Sequence, residues 1–125
     1  RVGFVKRCAA GTSIGYGATY TTDKDSTIAT VPIGYADGFP RALSNCGEVL
    51  VRGNRFPIVG RVCMDECMVS TGDLEVDIDD EVIVIGRQGK EEITAEDIAE
   101  KVGTVTHEIL CGISRRVPRV YLSRM

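Results

Sequence analysis

Glycine punctuates this chain so often that no regular element has room to grow long. Fourteen glycines stand among 125 residues, and the stretches between them read mostly as short strands. Val2 to Arg7 alternates weakly, Ser13 to Thr22 alternates well, and Thr27 to Ile33 is a β-branched run suited to a buried strand. Glu48 to Arg52 and Arg55 to Val62 are two further strand patterns, with a hairpin turn predicted at Gly53-Asn54. Pro57 marks the second of them as an edge or bulged strand. Cys67 to Ser70 and Glu81 to Ile85 add two more, on either side of an acidic turn from Gly72 to Asp80. Helical signals are confined to one region. Thr94 and Asp97 make a capping box, Ile98, Ala99 and Val102 an apolar stripe, and Gly103 a stop. Val105, Ile109 and Leu110 suit a second short helix, and Val117 to Leu122 reads as a final strand containing Pro118. The expectation is an all-β barrel or sandwich with a helical excursion.

Size and charge narrow the classes. The length suits a single domain spanning residues 1–125, able to bury about two thirds of its unfolded surface. Hydrophobic residues at 43%, charged residues at 26% and a net charge of −3 give no reason to expect nucleic acid or an anionic membrane as partner. Five cysteines, Cys8, Cys46, Cys63, Cys67 and Cys111, form no C-x-x-C pair, and His107 is the only histidine. Free thiols in a reducing compartment are therefore expected, with no metal site. The sequence contains no run of 18 apolar residues and no secretory signal, and it opens at Arg1 inside a strand-like pattern, so a piece of a longer protein is expected. Walker, G-x-S-x-G and H-x-x-x-H signatures are missing, which argues against a self-contained enzyme.

Candidate chemistry gathers in Gly11 to Asp37. Tyr16 and Tyr35 each stand beside glycine where a strand pattern meets a turn, so a ligand or another backbone can come close to either phenol. Read as a strand, the stretch presents Tyr16 on a defined face. A tyrosine can serve as general acid or base, but with an ordinary pKa near 10 it needs a cation close by, and Arg41 and Arg61 are the candidates. The arginines at the carboxy-terminal end, Arg115, Arg116, Arg119 and Arg124, read as a solvated or interdomain surface.

Five blocks then converge on one family. IGYGATY from Ile14, IGYADG from Ile33, PIVGRVCMDECM from Pro57, VIGRQG from Val84 and RVPRVY from Arg116 resemble, in order and across nearly the whole chain, the carboxy-terminal domain of bacterial alanine racemase. The resemblance implies a Greek-key-like β-barrel with one or two short helices. It implies a pyridoxal 5'-phosphate enzyme interconverting L- and D-alanine for peptidoglycan in the bacterial cytoplasm. The cofactor lysine would lie on an amino-terminal barrel domain absent here, and this domain would dock onto the barrel of the second subunit of a homodimer. By resemblance Tyr16 is the second catalytic base, contributed in trans. Tyr35 narrows the substrate entrance, the Met64 backbone lies against the substrate carboxylate, and Arg41 and Arg61 belong to the outer entrance. Asp65 reads equally well as a turn-capping carboxylate, and Cys63 and Cys67 as small packing residues. In Thr104-Val105-Thr106-His107-Glu108, His107 stands where the family's best-known members carry a tyrosine that bonds the cofactor phosphate. Imidazole can donate to phosphate too, while a shorter side chain leaves room beside the substrate. A serine or broad-specificity racemase is therefore an alternative, as is a non-catalytic interaction domain of the same fold.

Overall fold

The β-branched runs form strands where they can be covered on both faces. The structure, a computed structural model, describes residues 1–123. Its strands are β1 (Phe4–Cys8), β2 (Ser13–Ile14), β3 (Tyr20–Thr21), β4 (Ser26–Val31), β5 (Glu48–Val51), β6 (Asn54–Val59), β7 (Cys67–Gly72), β8 (Val82–Ile83), β9 (Gly86–Gln88) and β10 (Glu91–Ile93). Two helices follow, α1 (Ala95–Val102) and α2 (Thr106–Cys111). Six strands make one antiparallel sheet in the order β1-β4-β7-β6-β5-β8. The sheet curls into a half-barrel. Val2 donates to the Asp80 carbonyl at 2.9 Å and accepts from the Asp79 N–H at 2.8 Å, which ties the approach to β1 to the segment just before β8.

Burial follows sheet position. β4 lies between β1 and β7 and is almost wholly buried, whereas β7 alternates, with Cys67, Val69 and Thr71 turned inwards. Val49, Leu50 and Val51 of β5 are fully buried, and Leu43, Ile58 and Val62 complete the centre of the core. Against that core pack Ile98 and Ala99 of α1 and Ile109 of α2. Among the described residues no helix is long and apolar enough to cross a membrane.

α1 forms as its sequence predicts. The Thr94 hydroxyl accepts from the Asp97 N–H at 3.1 Å and the Asp97 carboxylate from the Thr94 N–H at 2.9 Å, so two otherwise orphaned donors are satisfied reciprocally. Gly103, in the left-handed region, closes the helix. The second short helix is α2, and the all-β expectation with one or two helices holds in the half-barrel form.

Four local expectations fail for identifiable reasons. Ser13 to Thr22 is not one strand: β2 and β3 are two-residue strands that pair with each other, Ile14 opposite Tyr20, around a 3-10 turn at Tyr16–Ala18. Gly15 at φ 78° and Gly17 at φ 75° cannot continue a strand, so the apparent alternation is an accident of glycine spacing. The β5–β6 turn is Arg52-Gly53 rather than Gly53-Asn54, because Val51 pairs with Asn54. β6 is an interior strand, yet Pro57 is tolerated there. The Ile58 N–H donates towards β5, to the Gly47 carbonyl, so the Pro57 nitrogen faces the β7 side, where pairing starts only at Ile58. Val117 to Leu122 forms no strand. Arg119 instead draws its own segment into a turn, donating to the Ser114, Val117 and Ile113 carbonyls at 2.6, 2.7 and 3.1 Å. Glu81 to Ile85 shortens to β8, and the polar strands β9 and β10 carry no pattern by which the sequence announces them.

These placements set unequal costs. Leu50→Ala, at the fully buried centre, should destabilise the domain by about 2–5 kcal/mol, and Thr94→Ala by about 1 kcal/mol through the lost cap. Urea unfolding of the two variants checks the order; a Thr94→Ala cost matching that of Leu50→Ala would contradict this account of the core.

Candidate active site

Tyr16 is carried on the tip of the β2–β3 hairpin, which lies backbone against backbone on the exit from β6. A Cβ on Gly60 would meet the Ile14 carbonyl oxygen at 2.9 Å, so only glycine lets the two segments approach this closely. Asn45 fixes the contact from a third segment. Its side chain donates to Thr19 Oγ1 at 3.0 Å and accepts from the Gly60 N–H at 2.7 Å, while its own N–H donates to the Gly60 carbonyl. Asn45 sits in left-handed backbone, at φ 57°, a conformation that asparagine tolerates better than most residues, and no local pattern in the sequence points to its role.

Tyr35 opens a 3-10 turn, Tyr35–Asp37, that is zipped to the loop between β6 and β7. The Tyr35 N–H donates to the Cys63 carbonyl and the Ala36 N–H to the Met64 carbonyl, both at 3.0 Å. The approach is so close that a Cβ on Gly34 would overlap the Cys63 carbonyl oxygen. Arg41 begins the next turn, Arg41–Leu43, after Pro40. There Ser44 Oγ donates to the Arg41 carbonyl at 2.6 Å and accepts from the Val62 N–H at 2.8 Å, joining that turn to the Arg61–Met64 loop.

The result is one open cavity of about 290 Å³ lined by Tyr16, Tyr35, Arg41, Arg61, Val62, Cys63 and Met64. Five of the six predicted site residues meet there. His107 does not; it lies exposed on the first turn of α2. Tyr16 is 73% exposed, and the Arg61 guanidinium carbon sits 5.9 Å from the centre of its ring, a cation–π arrangement that steadies the phenol. No carboxylate lines the cavity, and among the described residues neither Arg41 nor Arg61 is ion-paired. Two uncompensated guanidiniums beside two phenols give the opening a positive field, which suits a small anion. A larger cavity of about 580 Å³ lies between β5, β6, β10 and α1. Its Arg55 and Lys101 are neutralised by Glu48 and Glu91 at 2.8–3.4 Å, which leaves it little to offer a ligand.

Behind the cavity, Arg116 donates to Asp37 Oδ1 at 2.7 Å and also to Asp65. The other Asp37 oxygen accepts from the Gly34 N–H at 2.9 Å. Hydrogen bonding from the Arg116 guanidinium, first of all, holds the Asp37 carboxyl below the usual carboxylate range. Arg116 lies at the surface, its side chain 48% exposed, but is engaged by both carboxylates, and Asp65 answers it rather than capping a turn. Arg124 lies outside the described residues. Cys67 is buried in the core, where burial pushes its thiol up to about 12, as expected of a packing residue; Cys63 is half-buried on the cavity wall.

Known proteins resemble the chain along nearly its whole length. The family described as "Alanine racemase, C-terminal domain" matches residues 1–121. An alanine racemase of Symbiobacterium thermophilum is 59% identical over 97% of this chain and 32% of its own length. One of Halothermothrix orenii is 53% identical over all of this chain and 33% of its own. Among solved structures, alanine racemase of Bacillus anthracis with bound L-Ala-P superposes with a TM-score of 0.93 at 48% identity, covering 98% of this chain and 31% of that one. That of E. faecalis gives 0.92 at 49%, covering 97% and 32%. The chain therefore spans about a third of the length of the curated relatives it matches.

The thiols offer a direct check of the burial pattern. Alkylation requires thiolate, so at about pH 8.5 iodoacetamide should label the exposed Cys46 and Cys111 in the folded chain and spare Cys67 until urea is added. Labelling is read by peptide mass spectrometry. Native labelling of Cys67 at the rate of Cys111 would show that its strand is not packed as described.

Proposed function

The chain belongs to the alanine racemase C-terminal domain family, and from that premise we propose that it is the β-domain of a pyridoxal 5'-phosphate-dependent alanine racemase. In this reading an amino-terminal barrel domain completes the protein, and the domain serves the active site of the second subunit of a homodimer in the bacterial cytoplasm. The product would be D-alanine for peptidoglycan. The observation that carries the reading is the convergence of Tyr16, Tyr35, Arg41, Arg61 and Met64, drawn from three separate loops, on one open cavity.

The residues present fit one face of such a site. They offer phenols and guanidiniums for an amino-acid substrate, and none of the chain's lysines lines the cavity, so the lysine that anchors the cofactor would come from outside this chain. When bound, the cofactor supplies the electron sink that makes the α-proton removable. Racemisation then needs proton carriers on opposite faces of the α-carbon. The Tyr16 phenol oxygen would hold and deliver the proton on one face, its ring steadied by Arg61. Arg41 and Arg61 would attract the carboxylate of the incoming amino acid, the Met64 backbone would lie against it, and Tyr35 would narrow the entrance. His107 is proposed to donate to the cofactor phosphate from the exposed start of α2.

His107 also sustains a second reading, racemisation of serine or of several small amino acids, through the room it leaves relative to tyrosine. The ratio of alanine to serine turnover in the full-length protein separates the two. A purely structural interaction domain is disfavoured, because it would have no need to gather two unpaired arginines and two exposed tyrosines around one opening.

Tyr16→Phe in the full-length protein should lower racemisation by about a hundredfold to ten-thousandfold in both directions, because each uses both proton carriers, while α-proton exchange should fall much more from one enantiomer than from the other, because only one face loses its carrier. The measurement is α-deuterium incorporation in heavy water, starting separately from L- and D-alanine. Wild-type rates from both enantiomers would remove Tyr16 as a base.

A further inference from the structure

We propose that Arg116 is a positioning residue for the candidate site, its guanidinium spanning Asp37 and Asp65 and so setting the spacing of the two loops that present Tyr35 and Met64. The proposal rests on the functional reading above, since it assigns Arg116 a part in the same site. Arg116 does not line the cavity; it acts through its two partners. Asp37 stands two residues after Tyr35, and Asp65 directly follows Met64. One planar fork therefore reaches from the turn carrying the tyrosine to the loop carrying the methionine, a geometry that arginine supplies and lysine does not.

The surroundings are arranged to hold that fork still. Arg119 locks the turn that presents Arg116 by donating to three carbonyls of residues 113–117. The Ser114 N–H donates to the Asp37 carbonyl at 3.0 Å, so the same segment grips the Tyr35 turn by backbone as well. The Asp37 side chain is only 15% exposed and uses both oxygens, for Arg116 and for the Gly34 N–H, whereas the Asp65 side chain is 66% exposed and meets Arg116 at the surface. Asp37 is the fixed end of the clamp and Asp65 the end that draws the Met64 loop in. An exposed ion pair adds little to stability by itself. The consequence of this one is geometric, because the loops already touch through Tyr35 to Cys63 and Ala36 to Met64 and small displacements at a site are costly in rate.

The test compares wild type, Arg116→Met and Arg116→Lys in the full-length protein. Hydrogen exchange by mass spectrometry is followed in peptides covering residues 33–38 and, as an internal control, residues 48–51 and 67–71; alanine racemisation gives KM and kcat separately. Expected for Arg116→Met are faster exchange over residues 33–38 alone and a KM raised by about tenfold to a hundredfold with a smaller change in kcat. Arg116→Lys, which keeps the charge without the fork, should recover only part of each effect. Unchanged exchange at residues 33–38, loosening of the control strands to the same degree, or local loosening with an unchanged KM would each overturn the proposal. A wild-type protein without racemase activity would instead remove the functional reading, and exchange at residues 33–38 would still decide whether Arg116 clamps the loops.

Discussion

The antiparallel pairing of β4 with β7, and of β7 with β6, is the constraint on which the candidate site depends. Val31 at the end of β4 faces Cys67 at the start of β7, and Val59 at the end of β6 faces Met68. The chain leaving β4 and the chain joining β6 to β7 must therefore emerge side by side at one end of the sheet. Tyr35 lies on the first of these segments; Arg61 and Met64 lie on the second. No interaction between the loops is needed to bring them together, only to set their spacing. The loop-to-loop hydrogen bonds of Tyr35 and Ala36 do that, and they form because Gly34 carries no side chain to hold the backbones apart. The β2–β3 hairpin then adds Tyr16 from a third direction, over the exit from β6.

The division of labour among the arginines follows from which carboxylates the fold places near them. Arg55 has Glu48 and Glu91, Arg52 has Asp77 and Asp80, and Arg116 has Asp37 and Asp65. Each of these is spent on structure. Arg41 and Arg61 face an opening with no carboxylate on its wall, so their field is directed at whatever enters it. A sequence reports that arginines and aspartates are present but not how they pair, which is why Arg116 read only as part of a solvated or interdomain surface, while the fold sets it, still half exposed, between two carboxylates.

The same limit explains what was legible in the chain and what was not. Local signals carried α1, whose capping box and terminal glycine act within a single turn, and β4, whose β-branched run admits burial on both faces. They failed where glycine mimics periodicity: Ile14, Tyr16, Ala18 and Tyr20 alternate as a strand would, but positive φ at Gly15 and Gly17 turns the chain over, and Tyr16 ends on a hairpin tip instead of a strand face. They failed again at Val117 to Leu122, where strand-forming residues have no neighbour to pair with and Arg119 binds its own backbone. Of the site, the family resemblance assigned roles to Tyr16, Tyr35, Arg41, Arg61 and Met64, while Asp37 and Arg116, though inside the quoted blocks, and Asn45, outside them, received no such role because what they do is made of contacts across 15 to 79 positions of sequence.

An open cavity has one further consequence for the proposed chemistry. A phenol that is 73% exposed exchanges its proton with water, which in the proposed racemisation is the route by which solvent deuterium would reach the α-carbon. In the proposed racemase the base for the opposite face would come from a surface that covers Tyr16, Tyr35 and Met64. The features that make this face look unfinished, exposed aromatics beside unpaired cations, are those the proposed reading expects of a site that another surface completes. On that view selection for a well-packed isolated domain and selection for a competent site pull apart only here, and the Arg116 network lies at the boundary, stiffening the loops from behind while leaving their outer face free to be covered.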